Sequence, residues 1–247
     1  MRGYDKIEEY DGILLDLPFY EGLGAITRDQ AKPHHQDVKL INSPLWDRTE
    51  FGDEAFGLGY GLGFNSRGGP SVLTLNGANE YLELGNADCV DLDFIASDYS
   101  VGIWMKWTTG VDSQIVIGRY QVDVSGWEIY LYSSPNLYLT QRHHHAGGAA
   151  VRSGCYSGPW AKDVWHFLGI SRTGASSIHY QNGVPLVVTG ALEDPETCAR
   201  DLVIGIRFSK DANWFKGSLW RPRIWDRALP VEDWLAIFEA ERDFFGV

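Results

Sequence analysis

Seven histidines, three cysteines and 33 acidic residues are what this 247-residue chain has for chemistry, and spacing decides what they can do. His143, His144 and His145 stand in a row. Successive side chains of an extended chain point in different directions, so three in a row do not converge on one ion. The run, within RHHHAGGAAVRSG (142–154), reads as a solvated loop tip, and His34-His35 has the same weakness as a metal site. Cys89, Cys155 and Cys198 are odd in number and widely spaced. They imply no disulfide framework and no zinc motif, although one bridge stays open.

Acid–base hydrolysis of a glycosidic bond with retention needs two carboxylates about 5–5.5 Å apart. On one strand that geometry comes from Glu-x-Asp-x-Glu, since alternate residues share a face. The chain has no such motif: GWEIYLY carries Glu128 alone, and DLD at 91–93 lacks a following Glu. No Ser lies in a Gly-x-Ser-x-Gly elbow. GLGYGLG has no following Lys-Ser/Thr, so it is not a phosphate-binding loop. No enzyme is expected.

The aromatic residues are more informative. Ten Trp, twelve Tyr and eleven Phe exceed what a minimal core needs, so some belong at surfaces where a ring is half wet. In GWEIYLY, alternation puts Trp127, Ile129 and Leu131 on one face and Glu128, Tyr130 and Tyr132 on the other. If the next strand pairs beside it, Tyr138 and Arg142 join Tyr130 and Tyr132 in one patch. Flat rings with polar neighbours suit sugar rings and hydroxyls; equally, such a patch suits a protein interface or burial under a helix. Trp214 and Trp220, near the last hairpin, form a second candidate ligand-binding cluster.

The elements that must position these residues are short, alternating and bounded by turn residues, as antiparallel strands are. Asn182-Gly183 between apolar runs predicts a two-residue hairpin turn, and Asn76-Gly77 predicts a second hairpin-like unit. YSVGIWMKW (99–107) is apolar on both faces, as a central strand is, and SQIVIGRY, GWEIYLY and NLYLTQR continue a meander. FGDEAFGLGYGLGFNSRGGPS (51–71) carries seven glycines and reads as a thin strand or a mobile loop. PVEDWLAIFEAERDFF (230–245) is the one clear helix, with Val231, Trp234, Leu235, Phe238 and Phe245 near one face. The expected organisation is a flexible arm at 1–11 that serves docking, one all-β domain at 12–229, and a C-terminal helix at 230–247 packed on it.

A formal net charge of −12 and the lack of a Lys/Arg cluster argue against nucleic acid and against anionic membrane surfaces as partners. The N-terminus has charges where a signal core would be apolar, and no run of about 18 apolar residues is present. The chain is expected to be made in the cytoplasm without a signal peptide.

Six segments stand in an order that resembles the laminin-G-like, concanavalin-A-like jelly-roll family. They are LLDLPFYEGLG (14–24), LNGANEYLEL (75–84), YSVGIWMKW (99–107), WHFLGISR (165–172), HYQNGVPL (179–186) and GSLWRPRIWDRAL (217–229). The resemblance implies an all-β, two-sheet antiparallel jelly-roll sandwich with one C-terminal helix. It makes His166, in the Trp-His strand, a hydrogen-bonded structural histidine. Many members bind calcium; Asp29 matches one acidic ligand, but the rest of that loop is replaced and the second acid corresponds to Trp220. An indole cannot ligate calcium, so Asp29 is the one ligand to expect and no cofactor is assigned. Single-domain chains with an LPFYEGLG opening are similar to phage-type structural proteins. That similarity implies a non-enzymatic virion component, in capsid decoration or tail adhesion, with virion or surface proteins, glycans or further copies of itself as partners. The alternatives are a carbohydrate-binding module of a cell-surface or secreted system and, less favoured, a glycoside hydrolase.

Overall fold

Alternation of apolar and polar residues writes two sheets, and the turns decide which strand goes to which. The computed structural model describes residues 11–31, 35, 37–47, 71–108, 113–132, 138–147 and 153–247. The proposed docking arm, up to residue 10, and most of the glycine-rich stretch at 51–71 lie outside these residues.

The first sheet has eight strands among the described residues. Its order is β14 (Val184–Pro185), β13 (Ser176–Gln181), β12 (His166–Thr173), β7 (Tyr99–Trp107), β17 (Lys216–Trp225), β5 (Val72–Asn76) and β4 (Leu45–Asp47), with β1 (Ile13–Asp16) also pairing β17. The second runs β15 (Thr189–Ala191), β11 (Ser153–Ser157), β10 (Tyr138–His143), β9 (Ser125–Tyr132), β8 (Gln114–Gln121), β16 (Leu202–Ile204), β6 (Tyr81–Leu84), β3 (Val38–Ile41) and β2 (Ile26–Thr27). All pairings are antiparallel, as a jelly-roll sandwich requires.

YSVGIWMKW is central in the first sheet, as its two apolar faces require. Its inner residue Tyr99 stacks on Phe94 at 4.5 Å and meets Trp127 of β9 at 5.5 Å, which joins the two sheets through the core. Asn182 and Gly183 both have positive φ, 54° and 75°, and close the two-residue β13–β14 hairpin between Gln181 and Val184. Asn76-Gly77 does something else. β5 and β6 lie in different sheets, so the expected hairpin is a corner between layers. The Asn76 side chain caps that corner by accepting from the N–H groups of Ala78 and Asn79 at 2.8 and 3.1 Å.

Helix α1 (Val231–Glu241) covers the outer face of the first sheet. Gly102 and Gly169 are cross-strand partners, and the Trp234 indole lies on both. A Cβ at Gly169 would fall 2.7 Å from the indole, so glycine is what admits it. The buried stripe is Trp234, Ile237, Phe238 and Glu241, whereas Val231 and Leu235 are 40% and 45% exposed. This corrects the expected helix face. Glu241 belongs to it because its carboxylate accepts from Arg223 at 3.0 and 2.7 Å, Arg221 at 2.6 Å and the Trp104 indole at 2.8 Å. No described helix is long and apolar enough to cross a membrane.

Candidate functional site: a tyrosine groove

The helix closes one outer face of the sandwich, and no described helix lies on the other. There, the β9–β10 register pairs Tyr132 with Tyr138, Tyr130 with Thr140 and Glu128 with Arg142. Tyr156 of β11 lies opposite Thr140, and Ile115 of β8 opposite Tyr130. Tyr130, Tyr132 and Tyr138 therefore share one face with Arg142, as alternation predicts. Together with Ser113, Thr140, Tyr156, Val187 and Thr189 they line a groove of about 760 Å³. Thr140 is buried, and its small side chain leaves a low floor between taller tyrosines. Tyr132, Tyr138 and Tyr156 keep 38%, 36% and 40% of their surface open, enough to offer a ring face while the rest packs.

Tyr130 is the fixed member. The Arg142 guanidinium lies 4.7 Å from its ring centroid and donates to its hydroxyl. Another Arg142 nitrogen is 3.5 Å from Glu128 Oε1. Behind Glu128, His144 Nε2 donates to the same oxygen at 3.1 Å, while His144 Nδ1 accepts from the Asp123 N–H at 3.2 Å, which fixes the tautomer. His144 also stacks on Tyr120 at 5.2 Å. Burial raises the Tyr130 and Tyr120 phenols above their ordinary range, so both remain donors at neutral pH.

The histidine run is not the solvated loop its sequence suggests: His143, His144 and His145 are all buried. His143 ends β10 and faces inward, bonded to the Tyr99 hydroxyl at 2.9 Å and to the Glu193 carbonyl at 2.7 Å. His145 reaches Ser153 at 3.2 Å. The three rings radiate to separate sets of partners. His166 donates to the Ala161 carbonyl at 3.1 Å and contacts Gln181 at 3.1 Å.

Trp220 does not belong to a surface cluster. It is 3% exposed, on the first sheet, beneath Phe244 and Phe245 of the C-terminal segment. Trp214 is half-buried against Tyr81, 6.0 Å away. Neither lines the groove. Tyr156 and Thr189, which do, carry no motif of their own; continuing the alternation through SGCYS exposes Tyr156.

Asp29 is not a calcium ligand in waiting. Oδ1 accepts from the N–H groups of Asp16 and Ala31 at 2.8 and 2.9 Å, and Oδ2 from the His35 N–H and ring at 3.2 and 2.6 Å. Four donors occupy its acceptor positions. Burial alone would raise its pKa, but the His35 and backbone hydrogen bonds hold it below the usual value. Among the described residues no group of three or more His, Cys, Asp or Glu is arranged to hold a metal. Cys89, Cys155 and Cys198 are free and buried, so the bridge left open is not formed.

No curated protein matches the sequence. Solved structures match in fold. One is the receptor-binding domain of botulinum neurotoxin C/D mosaic serotype, 13% identical, with TM-score 0.64, covering 94% of this chain and 52% of that one. Another is the binding domain of botulinum neurotoxin DC in complex with rat synaptotagmin II, 12% identical, with TM-score 0.63 and coverage of 94% and 52%. A third is described by the dependence of botulinum neurotoxin type C cell entry on two ganglioside molecules; it is 12% identical, with TM-score 0.65 and coverage of 94% and 52%. The chain thus spans about half the length of these structures, and at such identity the likeness is one of fold. Residues 76–233, more than half of the chain, match the laminin G family model described as the concanavalin A-like lectin/glucanases superfamily, and the chain belongs to that family.

Proposed function

We propose that this chain is a non-catalytic binding domain that holds a glycan in its tyrosine groove and is displayed on a particle surface, as a virion decoration or adhesion component. The observation that carries the reading is the set of four tyrosines on three adjacent strands of the sheet that the helix does not cover. Ring faces on a rigid sheet bind at low entropic cost, because the rings are ordered before the ligand arrives. Glycosidic hydrolysis draws no support from the groove. No carboxylate is among the described residues lining it, and Glu128, in the recess beside it, is engaged by Arg142 and His144. Two of the similar folds are described with a protein partner and with gangliosides, which suits a binding role. Attachment of copies to one another or to neighbouring surface proteins belongs to the same proposal.

A glycan array with the whole chain tests sugar binding, and cosedimentation with intact particles tests display. Retention on sugars that is lost in Tyr138→Ala is the expected result. Sugar binding that survives loss of both Tyr132 and Tyr138 side chains removes the groove from the reading. Hydrolysis of a bound oligosaccharide overturns the non-catalytic assignment.

A further inference from the structure

A smaller recess of about 180 Å³ adjoins the groove and shares Ser113, Tyr130 and Arg142 with it. The two therefore form one depression with Arg142 at its middle. Arg207, Glu128 and Asn213 also line it. Ten arginines lie among the described residues, and eight of them have a carboxylate within 4.0 Å. The other two are Arg200 and Arg207. Both lie against the same ring, Phe208, at 5.7 and 5.4 Å. Arg200 is used by a neutral partner, donating to Gln121 Oε1 at 3.0 and 2.8 Å. The Arg207 guanidinium makes no side-chain hydrogen bond or ion pair among the described residues; the Phe208 ring holds it at the recess. In a chain with 33 acidic and 21 basic residues, an arginine that lines a recess with no carboxylate within 4.0 Å of it is a cation placed for something else.

We propose that the depression takes an acidic glycan, with its carboxylate or sulfate seated at Arg207 and Arg142 and the adjoining sugar rings on the tyrosines. This rests on the glycan reading above. Counting the lining charges, two guanidinium groups face one carboxylate, Glu128, which is 3% exposed. An anion entering the recess meets a net positive lining. A planar guanidinium binds a carboxylate or sulfate through paired N–H donors, which a neutral sugar does not exploit. The five residues of β9 from Glu128 to Tyr132 span about 13 Å, the length of a short oligosaccharide. A peptide fits less well. β9, β10 and β11 are each paired on both sides, so none of the three strands that carry the tyrosines offers a free edge for strand addition.

The test is a titration of the whole chain with matched oligosaccharides: uronate-bearing, sialylated, sulfated, and the neutral counterpart of each. The expected result is at least tenfold tighter binding of an acidic member than of its neutral counterpart. That preference should weaken between 50 and 500 mM salt. Arg207→Gln should abolish the preference while leaving the neutral sugar's affinity unchanged, and Arg207→Lys should retain only part of it. Which acidic member binds separates carboxylate from sulfate. Equal binding of acidic and neutral sugars, or a preference that survives Arg207→Gln, overturns this inference and leaves the glycan function standing. Binding of no sugar overturns both, and capture of an acidic peptide instead assigns the recess to a protein partner.

Discussion

The Glu241 carboxylate at the last turn of α1 receives both terminal nitrogens of the Arg223 guanidinium, and both side chains are buried, at 5% and 1% exposure. Arg221 carries the network onward by bonding Asp16 of β1 at 3.0 and 3.1 Å. The helix is thus tied to the sheet by charge as well as by Trp234. Removing one partner leaves a buried charge without its counterion, which costs about 3–5 kcal/mol. Glu241→Gln is expected to lower stability by that order and to release the C-terminal helix. Urea unfolding measures the first, and amide exchange across 231–245 the second. A loss below about 1 kcal/mol would show that the network is stabilisation-neutral.

The Trp234 dock makes a steric prediction. Gly169→Ala would place a methyl 2.7 Å from the indole. Since backbone holds one side and a core tryptophan the other, overpacking costs about 1–3 kcal/mol. Trp234 fluorescence and the urea midpoint should both shift. An unchanged midpoint would mean that the indole slides freely over the sheet.

The groove tyrosines are expected to separate binding from folding. Tyr132 and Tyr138 are more than a third exposed, so Tyr132→Ala and Tyr138→Ala should each change stability by no more than about 0.5 kcal/mol. Each should weaken ligand affinity about fivefold or more, as loss of an aromatic anchor does. Parallel unfolding and titration measurements check both halves.

Stability should be greatest near pH 6.5. Burial drives His143 and His179 down to about 3 from 6.5, so both are neutral in the folded chain. Below pH 6.5 the unfolded chain takes up protons that the folded chain refuses. Their stabilisation is complete above 6.5 and is lost as pH falls toward 3, at about 1.4 kcal/mol per pH unit for each histidine. His35 acts in the opposite sense. Burial alone would lower it, but its hydrogen bonds to Asp29 and Asp91 hold it up at about 9. Its stabilisation is complete below 6.5 and lost as pH rises through about 9. Chemical denaturation from pH 4 to 10 should show both limbs, and His35→Asn should flatten the alkaline one. An alkaline limb unaltered in that variant would exclude the Asp29–His35–Asp91 link as its cause.

Calcium is expected to leave the folded chain unchanged. All four donors on Asp29 are internal. The thermal midpoint should be the same in chelator and in millimolar calcium. A calcium-dependent rise would require Asp29 to exchange its backbone partners for the ion.

Local rules carried much of the fold. Alternation predicted which residues of β9 turn inward, the central place of β7 and the shared face of Tyr130, Tyr132, Tyr138 and Arg142. Asn182-Gly183 made its hairpin because both residues accept positive φ and the flanking strands are partners. Asn76-Gly77 has the same dipeptide but joins strands of different sheets, and nothing within a few residues distinguishes the two cases. The histidine run shows the limit from another side. His143, His144 and His145 read as polar and exposed, but each is buried and finds a partner from a distant or neighbouring segment. Trp220 reads as a binding ring and is covered by Phe244 and Phe245, whose placement depends on Glu241 meeting Arg223.

Side-chain period, turn chemistry and motif order are local or sequential, so the amino-acid string alone determined the all-β class, the strand meander, the terminal helix and the tyrosine face. Which face the helix covers, which aromatic residues stay open, and the meeting of Arg207 with Arg142 at one recess were decided by tertiary structure. The reason is physical: burial and unmatched charge depend on what lies opposite in space, and those neighbours are far apart along the chain.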